Sequence, residues 1–232
     1  MRIALLGYGK MGKVIEKIAL ERGHEIVLRV DSSTTDFDIT KVDVAIEFSA
    51  PSKAVENIKL CLNNQIPIVS GTTGWLEHYK EMKDLCLQKK SAFIYASNFS
   101  LGVNLFFELN TQLAKMMDKF KQYNVSLEEI HHTQKLDAPS GTAITLAEQI
   151  IQNSDKTEWS LNPTNENQLL INAIRIENVP GTHSVFYKSD IDEIEIKHTA
   201  HSREGFAFGA VIAAEWLLSK KGVFTMKDVL GI

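Results

Sequence analysis

The sequence predicts an α/β protein in two parts. A doubly wound parallel sheet is expected over residues 1–99. An α+β domain on a mixed sheet is expected over 100–205, with the final helix and tail, 206–232, returning to the first part. Three observations carry this reading. Short apolar runs alternate with amphipathic stretches through the first hundred residues, the pattern of parallel strands joined by right-handed crossovers. Beyond residue 154, three strand-like runs follow one another with no helix between them, which requires antiparallel or mixed pairing. Finally, the first apolar run leads straight into "GYGKMG", a glycine loop that opens a helix.

Taken in order, "RIALL" (2–6) is a strand ending at Gly7, and 10–22 is a helix with Met11, Val14, Ile15, Ile18 and Ala19 on one face. "EIVLRV" (25–30) and "VDVAIEFS" (42–49) are the second and third strands. Pro51 opens a helix, since proline suits a first helical turn. "IPIVSG" (66–71) and "SAFIYAS" (91–97) are strands flanking a helix at 75–90. A helix at 101–118, a strand at 123–132 and a helix at 140–152 follow. Residues 154–168 are polar and turn-rich and read as a loop. Strands are expected at 169–177, 183–188 and 191–199, then a helix at 206–219.

With 232 residues and 44% hydrophobic side chains, the chain can bury a substantial core. A net charge of −4 gives no basic excess to bind phosphate backbones, so no nucleic-acid partner is expected. No run reaches the roughly 18 apolar residues of a membrane span. The N-terminus lacks a small-residue cleavage site, so no signal peptide is expected. Cys61 and Cys86 form no CxxC or paired framework and read as reduced packing thiols.

Gly7, Gly9 and Gly12 have G-x-G-x-x-G spacing after a strand and before a helix, and Asp31 ends the second strand, 19 residues after Gly12. That context makes the first part a Rossmann-like dinucleotide site. Gly7 permits the turn, Gly9 lets backbone approach a pyrophosphate, and Gly12 lets the helix pack on the sheet. Asp31 can accept from both ribose hydroxyls and repels a 2′-phosphate, which favours NADH; Lys10 and Arg29 nearby leave NADPH open. "SGTTGW" (70–75) and "ASNFSLGVN" (96–104) leave carboxyl ends of strands, where ligands bind in such sheets.

The segment "EIHHTQKLDAPSGTA" (129–143) concentrates the remaining chemistry. Either Ser140 or Asp137 caps the helix that starts at Gly141, leaving the Gly141 and Thr142 N–H groups as donors to a carboxylate or phosphate. Lys135 is a cation for the same anion. His131 and His132 point to opposite faces of a strand, so one suits proton donation and the other substrate contact. A zinc site would draw on His131, His132, His183, His198 and His201. Adjacent histidines diverge, no H-E-x-x-H exists and no cysteine joins them, so no metal is expected. Ser140 is no nucleophile by motif, since "APSGT" is not G-x-S-x-G.

Together these segments resemble the dihydrodipicolinate reductase family, also called 4-hydroxy-tetrahydrodipicolinate reductase. Its pattern E-x-H-H-x-x-K-x-D-x-P-S-G-T-A is matched without a gap from Glu129 to Ala143. "GYGKMG", "SGTTGW", "SNFSLGVN", "PGTH" (180–183) and the closing "FAFGAVIAAEWL" extend the likeness nearly end to end. The resemblance implies NAD(P)H-dependent reduction of 4-hydroxy-tetrahydrodipicolinate to tetrahydrodipicolinate with loss of water, in lysine and diaminopimelate biosynthesis. It further implies a cytoplasmic homotetramer acting on a small dicarboxylate. Carried over by position, His131 and Lys135 are proton donors, His132 contacts substrate, and Gly141 and Thr142 hold a carboxylate. Gly7, Tyr8, Gly9, Lys10, Met11, Gly12, Asp31, Gly71, Thr72, Thr73, Ala96, Ser97, Asn98 and Phe99 bind cofactor. The glycine loop is one residue shorter than the common family form, the 31–41 stretch is short, and Glu177 stands where many members have glycine. The residues alone leave open a non-catalytic dinucleotide sensor, or another two-domain NAD(P) dehydrogenase acting on semialdehydes or sugars.

Overall fold

The computed structural model describes residues 1–202 and 204–232; Arg203, within the 100–205 stretch assigned above, lies outside them. The chain divides into two compact units, Met1–Leu101 with Glu204–Ile232, and Gly102–Arg203.

The first unit is built on strands β1 (Arg2–Leu6), β2 (Glu25–Val30), β3 (Val44–Glu47), β4 (Ile68–Ser70), β5 (Ala92–Tyr95) and β11 (Gly222–Phe224). They pair in parallel in the order β11, β5, β4, β3, β1, β2. Helices cover both faces, and this is why β1 and β3 read as unbroken apolar runs rather than as alternations. On one face lie α1 (Lys10–Glu21) and α6 (Glu204–Leu217). Ile15, Ile18 and Ala19 of α1 share a buried cluster with Ala207, Ala210, Val211 and Ala214 of α6. On the other lie α2 (Pro51–Asn63) and α3 (Tyr79–Lys89), contributing Ala54, Ile58, Leu62, Met82 and both cysteines. Cys61 and Cys86 are buried free thiols, and burial pushes their pKa values up, that of Cys86 to about 11.

The last eleven residues form more structure than their sequence advertises. Gly222–Phe224 add the sixth strand beside β5, and α7 (Met226–Leu230) is started by a capping box between Thr225 and Asp228. A strand of three residues is too short for its alternation to be legible.

The second unit holds a mixed sheet in the order β10, β9, β6, β8, β7, from β6 (Asn124–His131), β7 (Glu158–Ser160), β8 (Gln168–Arg175), β9 (Gly181–Lys188) and β10 (Glu193–Ala200). The central strand β6 runs antiparallel to β9 and parallel to β8. Helices α4 (Leu101–Met117) and α5 (Gly141–Ile151) supply Phe106, Leu113, Leu146 and Ile150 to a core with Leu127, Ile171 and Val185 of the sheet. The segment 154–168, expected as a loop, contains β7, an edge strand whose pairing with β8 overrides polar local composition. Strand β9 also starts two residues earlier than expected, because Gly181 and Thr182 pair with Ala200 and Thr199.

Candidate active site

In the first unit, a cleft of about 420 Å³ opens where the sheet order reverses between β1 and β3. Gly9, Lys10 and Met11 follow β1, Ser49 and Pro51 follow β3, and Gly71, Thr72 and Thr73 follow β4; all line it. Gly7 sits at φ +106°, and a Cβ there would stand 2.1 Å from the Phe48 carbonyl oxygen, so only glycine makes this turn. At Gly12 a Cβ would meet the Gly7 carbonyl oxygen at 2.5 Å, so glycine is what lets α1 start this close to β1. Helix α1 has no side-chain cap and no acidic residue in its first turn, which leaves its N-terminal N–H groups to an anion. These features fit a dinucleotide pyrophosphate.

The other expected cofactor residues divide by what they offer. Thr72 is buried, its hydroxyl donating to Glu47 Oε1 at 2.7 Å while accepting from Ser49 N at 2.8 Å. Its side chain fastens two loops together, so the wall of the cleft is shaped by Glu47, a residue the motif reading did not single out. Phe99 packs in the core against Phe48, leaving only backbone for a ligand. The Asn98 carboxamide accepts from Ser100 N at 2.9 Å, and Ala96 N donates to Ser70 O at 3.2 Å, which fixes the course of the 96–99 loop. Tyr8 donates its hydroxyl to Glu16, and Glu16 also binds Arg29. Arg29, read as a cation open to a 2′-phosphate, is therefore already paired. Asp31 Oδ1 accepts from Ser33 N, Ser33 Oγ and Thr34 Oγ1 at 2.9, 2.7 and 3.1 Å. The Ser33 hydroxyl and the other donors hold this exposed carboxyl below its ordinary pKa.

In the second unit the site grows out of strand alternation. Leu127, Glu129 and His131 fall on the face of β6 that meets the helices. Leu127 enters the core; two residues on, the face turns polar. Register places Glu129 opposite His183 of β9, and His131 opposite Arg175 of β8. Glu129 is fully buried. Its Oε2 accepts from Ser140 N at 3.0 Å and its Oε1 from Arg175 Nη2 at 3.1 Å, with His131 Nε2 and His183 Nε2 each 3.7 Å from Oε2. Burial alone would raise the Glu129 pKa. The close approach of His183 and the hydrogen bonds from Ser140 and Arg175 outweigh it and hold the carboxyl at about 2.

His131 Nδ1 lies 3.2 Å from the Pro180 carbonyl oxygen, which only accepts, so Nδ1 carries a proton. His131 Nε2 then faces His183 Nε2 at 3.4 Å. Burial and the neighbouring His183 lower the His131 pKa, Glu129 opposes them, and Lys135 lowers it further. Glu129, His131 and His183 place their donor atoms within 4.8 Å of one another, although no metal was expected and His183 was weighed beside His131 only as one of five histidines for a zinc site. In this structure those atoms are bonded among themselves and to Ser140, Arg175 and Pro180.

The cap of α5 is Ser140, whose Oγ accepts from Ala143 N at 3.2 Å, and not Asp137. Asp137 instead takes the Lys135 ammonium on both oxygens, at 2.8 and 2.7 Å. Among the described residues no group accepts from the Gly141 or Thr142 N–H, and a Cβ at Gly141 would meet nothing within 4 Å. His132 leaves the face of His131 and lines a cleft of about 490 Å³ with Gln134, Glu177 and Pro180. Its Nδ1 is buried without a partner among the described residues. Sequence reasoning singled out His131, His132, Lys135, Gly141 and Thr142; the structure adds Glu129, Arg175 and His183 as the groups packed around His131. The one available signal was the two-residue spacing of Glu129 and His131 on a strand.

Comparison with known proteins agrees with the likeness read from the motifs. Residues 1–99 match the family model for the dihydrodipicolinate reductase N-terminus, and residues 102–230 match that for the C-terminus. The 4-hydroxy-tetrahydrodipicolinate reductase of Christiangramia forsetii is 58% identical over 99% of this chain and 98% of its own. That of Thermosipho africanus is 34% identical over the same shares. Among solved structures, a dipicolinate-bound dihydrodipicolinate reductase from Paenisporosarcina shares the fold, with a TM-score of 0.78 over 97% of each chain at 23% identity. The chain belongs to the dihydrodipicolinate reductase family.

Proposed function

We infer that this chain catalyses the NAD(P)H-dependent reduction of 4-hydroxy-tetrahydrodipicolinate to tetrahydrodipicolinate, with loss of water, in lysine and diaminopimelate biosynthesis. Family membership and 58% identity to a reductase of that name support it. The observation in the structure that carries it is the pair of unclaimed N–H groups at Gly141 and Thr142, beside a histidine–carboxylate cluster and a lysine on one short segment. A ring bearing two carboxylates needs an anion seat and a proton donor close together, and this segment offers both.

The nicotinamide dinucleotide, when bound, supplies the hydride. Gly7, Tyr8, Gly9, Lys10, Met11, Gly12, Asp31, Gly71, Thr72, Thr73 and Ala96–Phe99 are the residues we assign to holding it. Gly9 to Gly12 would take the pyrophosphate on the start of α1, and Asp31 Oδ2 would accept from the adenosine ribose. NADH is the expected preference, because Asp31 repels a 2′-phosphate and Arg29 is engaged by Glu16. Gly141 and Thr142 hold a substrate carboxylate, Lys135 adds charge and a proton, and His132 contacts the ring. His131 delivers a proton from Nε2 when doubly protonated, its Nδ1–H fixed on the Pro180 carbonyl. We assign the first unit to cofactor and the second to substrate and assembly. Family likeness supports a homotetramer in the cytoplasm, and no helix among the described residues is long and apolar enough to cross a membrane.

The test is a coupled assay in which aspartate semialdehyde and pyruvate are condensed in place and absorbance at the reduced-nicotinamide band is followed with either cofactor. Cofactor oxidation that depends on both precursors supports the reading; none with freshly made substrate and either cofactor overturns it.

A further inference from the structure

We propose that Glu129 is the positioning residue of this site, one buried carboxylate that ties the proton donor His131 to the carboxylate seat at the start of α5. The proposal rests on the reductase reading above for the roles of His131 and the seat, but its geometry stands independently.

The bridge has two ends. One is Ser140 N, held at 3.0 Å by Glu129 Oε2, which sets where Gly141 and Thr142 aim their N–H groups. The other is the pair of imidazoles, His131 and His183, whose Nε2 atoms both lie 3.7 Å from the same oxygen. Ser140 Oγ, 3.1 Å from His183 Nε2, closes the circuit. A single group of atoms therefore fixes the distance between donor and seat, and a reaction on a small rigid ring depends on that distance.

Charge matters as much as placement. The groups facing Glu129 are His131 on its own strand, His183 on β9, Arg175 on β8 and Ser140 at the start of α5. Beyond these, Lys135 and Asp137 pair with each other on the loop that follows β6. An extra proton on His131 is opposed by burial, by His183 and by Lys135; Glu129 is the one carboxylate beside it that favours the imidazolium. A bare carboxylate near an anion seat would repel the substrate. Arg175 neutralises it at 3.1 Å and, through the same Nη2, holds the Asp137 carbonyl at 2.7 Å, so the compensating charge also anchors the Lys135 loop.

The test is Glu129→Gln, which keeps size and an acceptor for Ser140 N but removes the charge. The expected result is kcat reduced about tenfold or more at pH 7.5, with the KM for NADH unchanged. The alkaline limb of the kcat profile should move down by about one pH unit, as expected when a neighbouring opposite charge is lost. A purely structural role would lower active-site concentration without moving that limb. Because the variant leaves Arg175 unpaired, a second measurement stands apart from turnover: imidazole NMR titration of His131 in wild type and variant. A lower His131 pKa in Glu129→Gln supports the proposal even if the coupled assay fails. An unchanged His131 pKa with an unmoved kcat limb overturns it while leaving the reductase reading intact. Should the variant not fold, the double variant Glu129→Gln/Arg175→Met removes the unpaired charge and is titrated instead. The same two outcomes then decide.

Discussion

Gly181 and His131 are in such close contact that a Cβ on the glycine would stand 2.8 Å from His131 Cε1 and 3.2 Å from Nδ1. The glycine that begins β9 is the recess in which the imidazole lies, and the neighbouring Pro180 carbonyl is its hydrogen-bond acceptor. Gly181→Ala must push the ring off that acceptor. The expected outcome is a fall in kcat of about 10²-fold, the scale of a misplacement near 1 Å, with NADH affinity retained. Steady-state kinetics with a fluorescence titration of NADH checks it, and wild-type turnover in Gly181→Ala would show that the ring position is not critical.

Arg175 carries a burden that no motif announced. Removing it leaves the fully buried Glu129 charge uncompensated and frees the Asp137 carbonyl. Arg175→Met is expected to cost about 3–5 kcal/mol of unfolding free energy and to raise the KM for substrate. Urea unfolding measures the first. A loss below about 1 kcal/mol would mean that Glu129 finds other compensation.

Acid should weaken the second unit through the same carboxylate. The Glu129 pKa in the fold is held at about 2, below the ordinary value of 4.5. A depressed folded pKa contributes stability above the unfolded pKa, and that stability is lost as pH falls from about 4.5 to 2. The contribution is of order 3 kcal/mol. Unfolding free energies measured at pH 6, 4 and 3 should decline in wild type and decline less in Glu129→Gln. Parallel declines in the two proteins would remove Glu129 as the cause.

Lys135 is paired with Asp137 through both carboxylate oxygens in this structure, so in the proposed role a substrate carboxylate would compete for the ammonium. Lys135→Ala is expected to lower kcat/KM by about 10²–10³-fold, as for loss of a charge-stabilising donor. Asp137→Asn should leave kcat in place and lower the substrate KM by a few-fold, the worth of a partly exposed ion pair. A raised KM in Asp137→Asn would instead make Asp137 the holder that sets Lys135 in place.

Cofactor choice is expected to turn on two acidic side chains. Asp31 presents Oδ2 while Oδ1 is occupied by Ser33 and Thr34, and Glu16 keeps Arg29 occupied. The ratio of kcat/KM for NADH over NADPH is expected at or above one. Glu16→Gln, which weakens the hold on Arg29, should shift that ratio toward NADPH. A strong NADPH preference in wild type would refute the Asp31 argument.

The sequence by itself determined the fold class, because alternating elements and a glycine loop after the first strand admit few other arrangements, and it singled out the short segments on which the proposed chemistry rests. Gly7, Gly9 and Gly12 announce a dinucleotide turn by spacing. His131, Lys135, Gly141 and Thr142 stand within one contiguous stretch, where strand alternation and helix capping are local and legible. Tertiary structure alone decided what supports them. Arg175 and His183 reach Glu129 from strands about fifty residues away, through a β6 register that no local pattern encodes. Glu47 fastens Ser49, Ser70 and Thr72 in the same way across β3 and β4. Three-residue strands such as β7 and β11 form because a neighbouring strand offers its hydrogen bonds, a long-range contribution that outweighs local propensity.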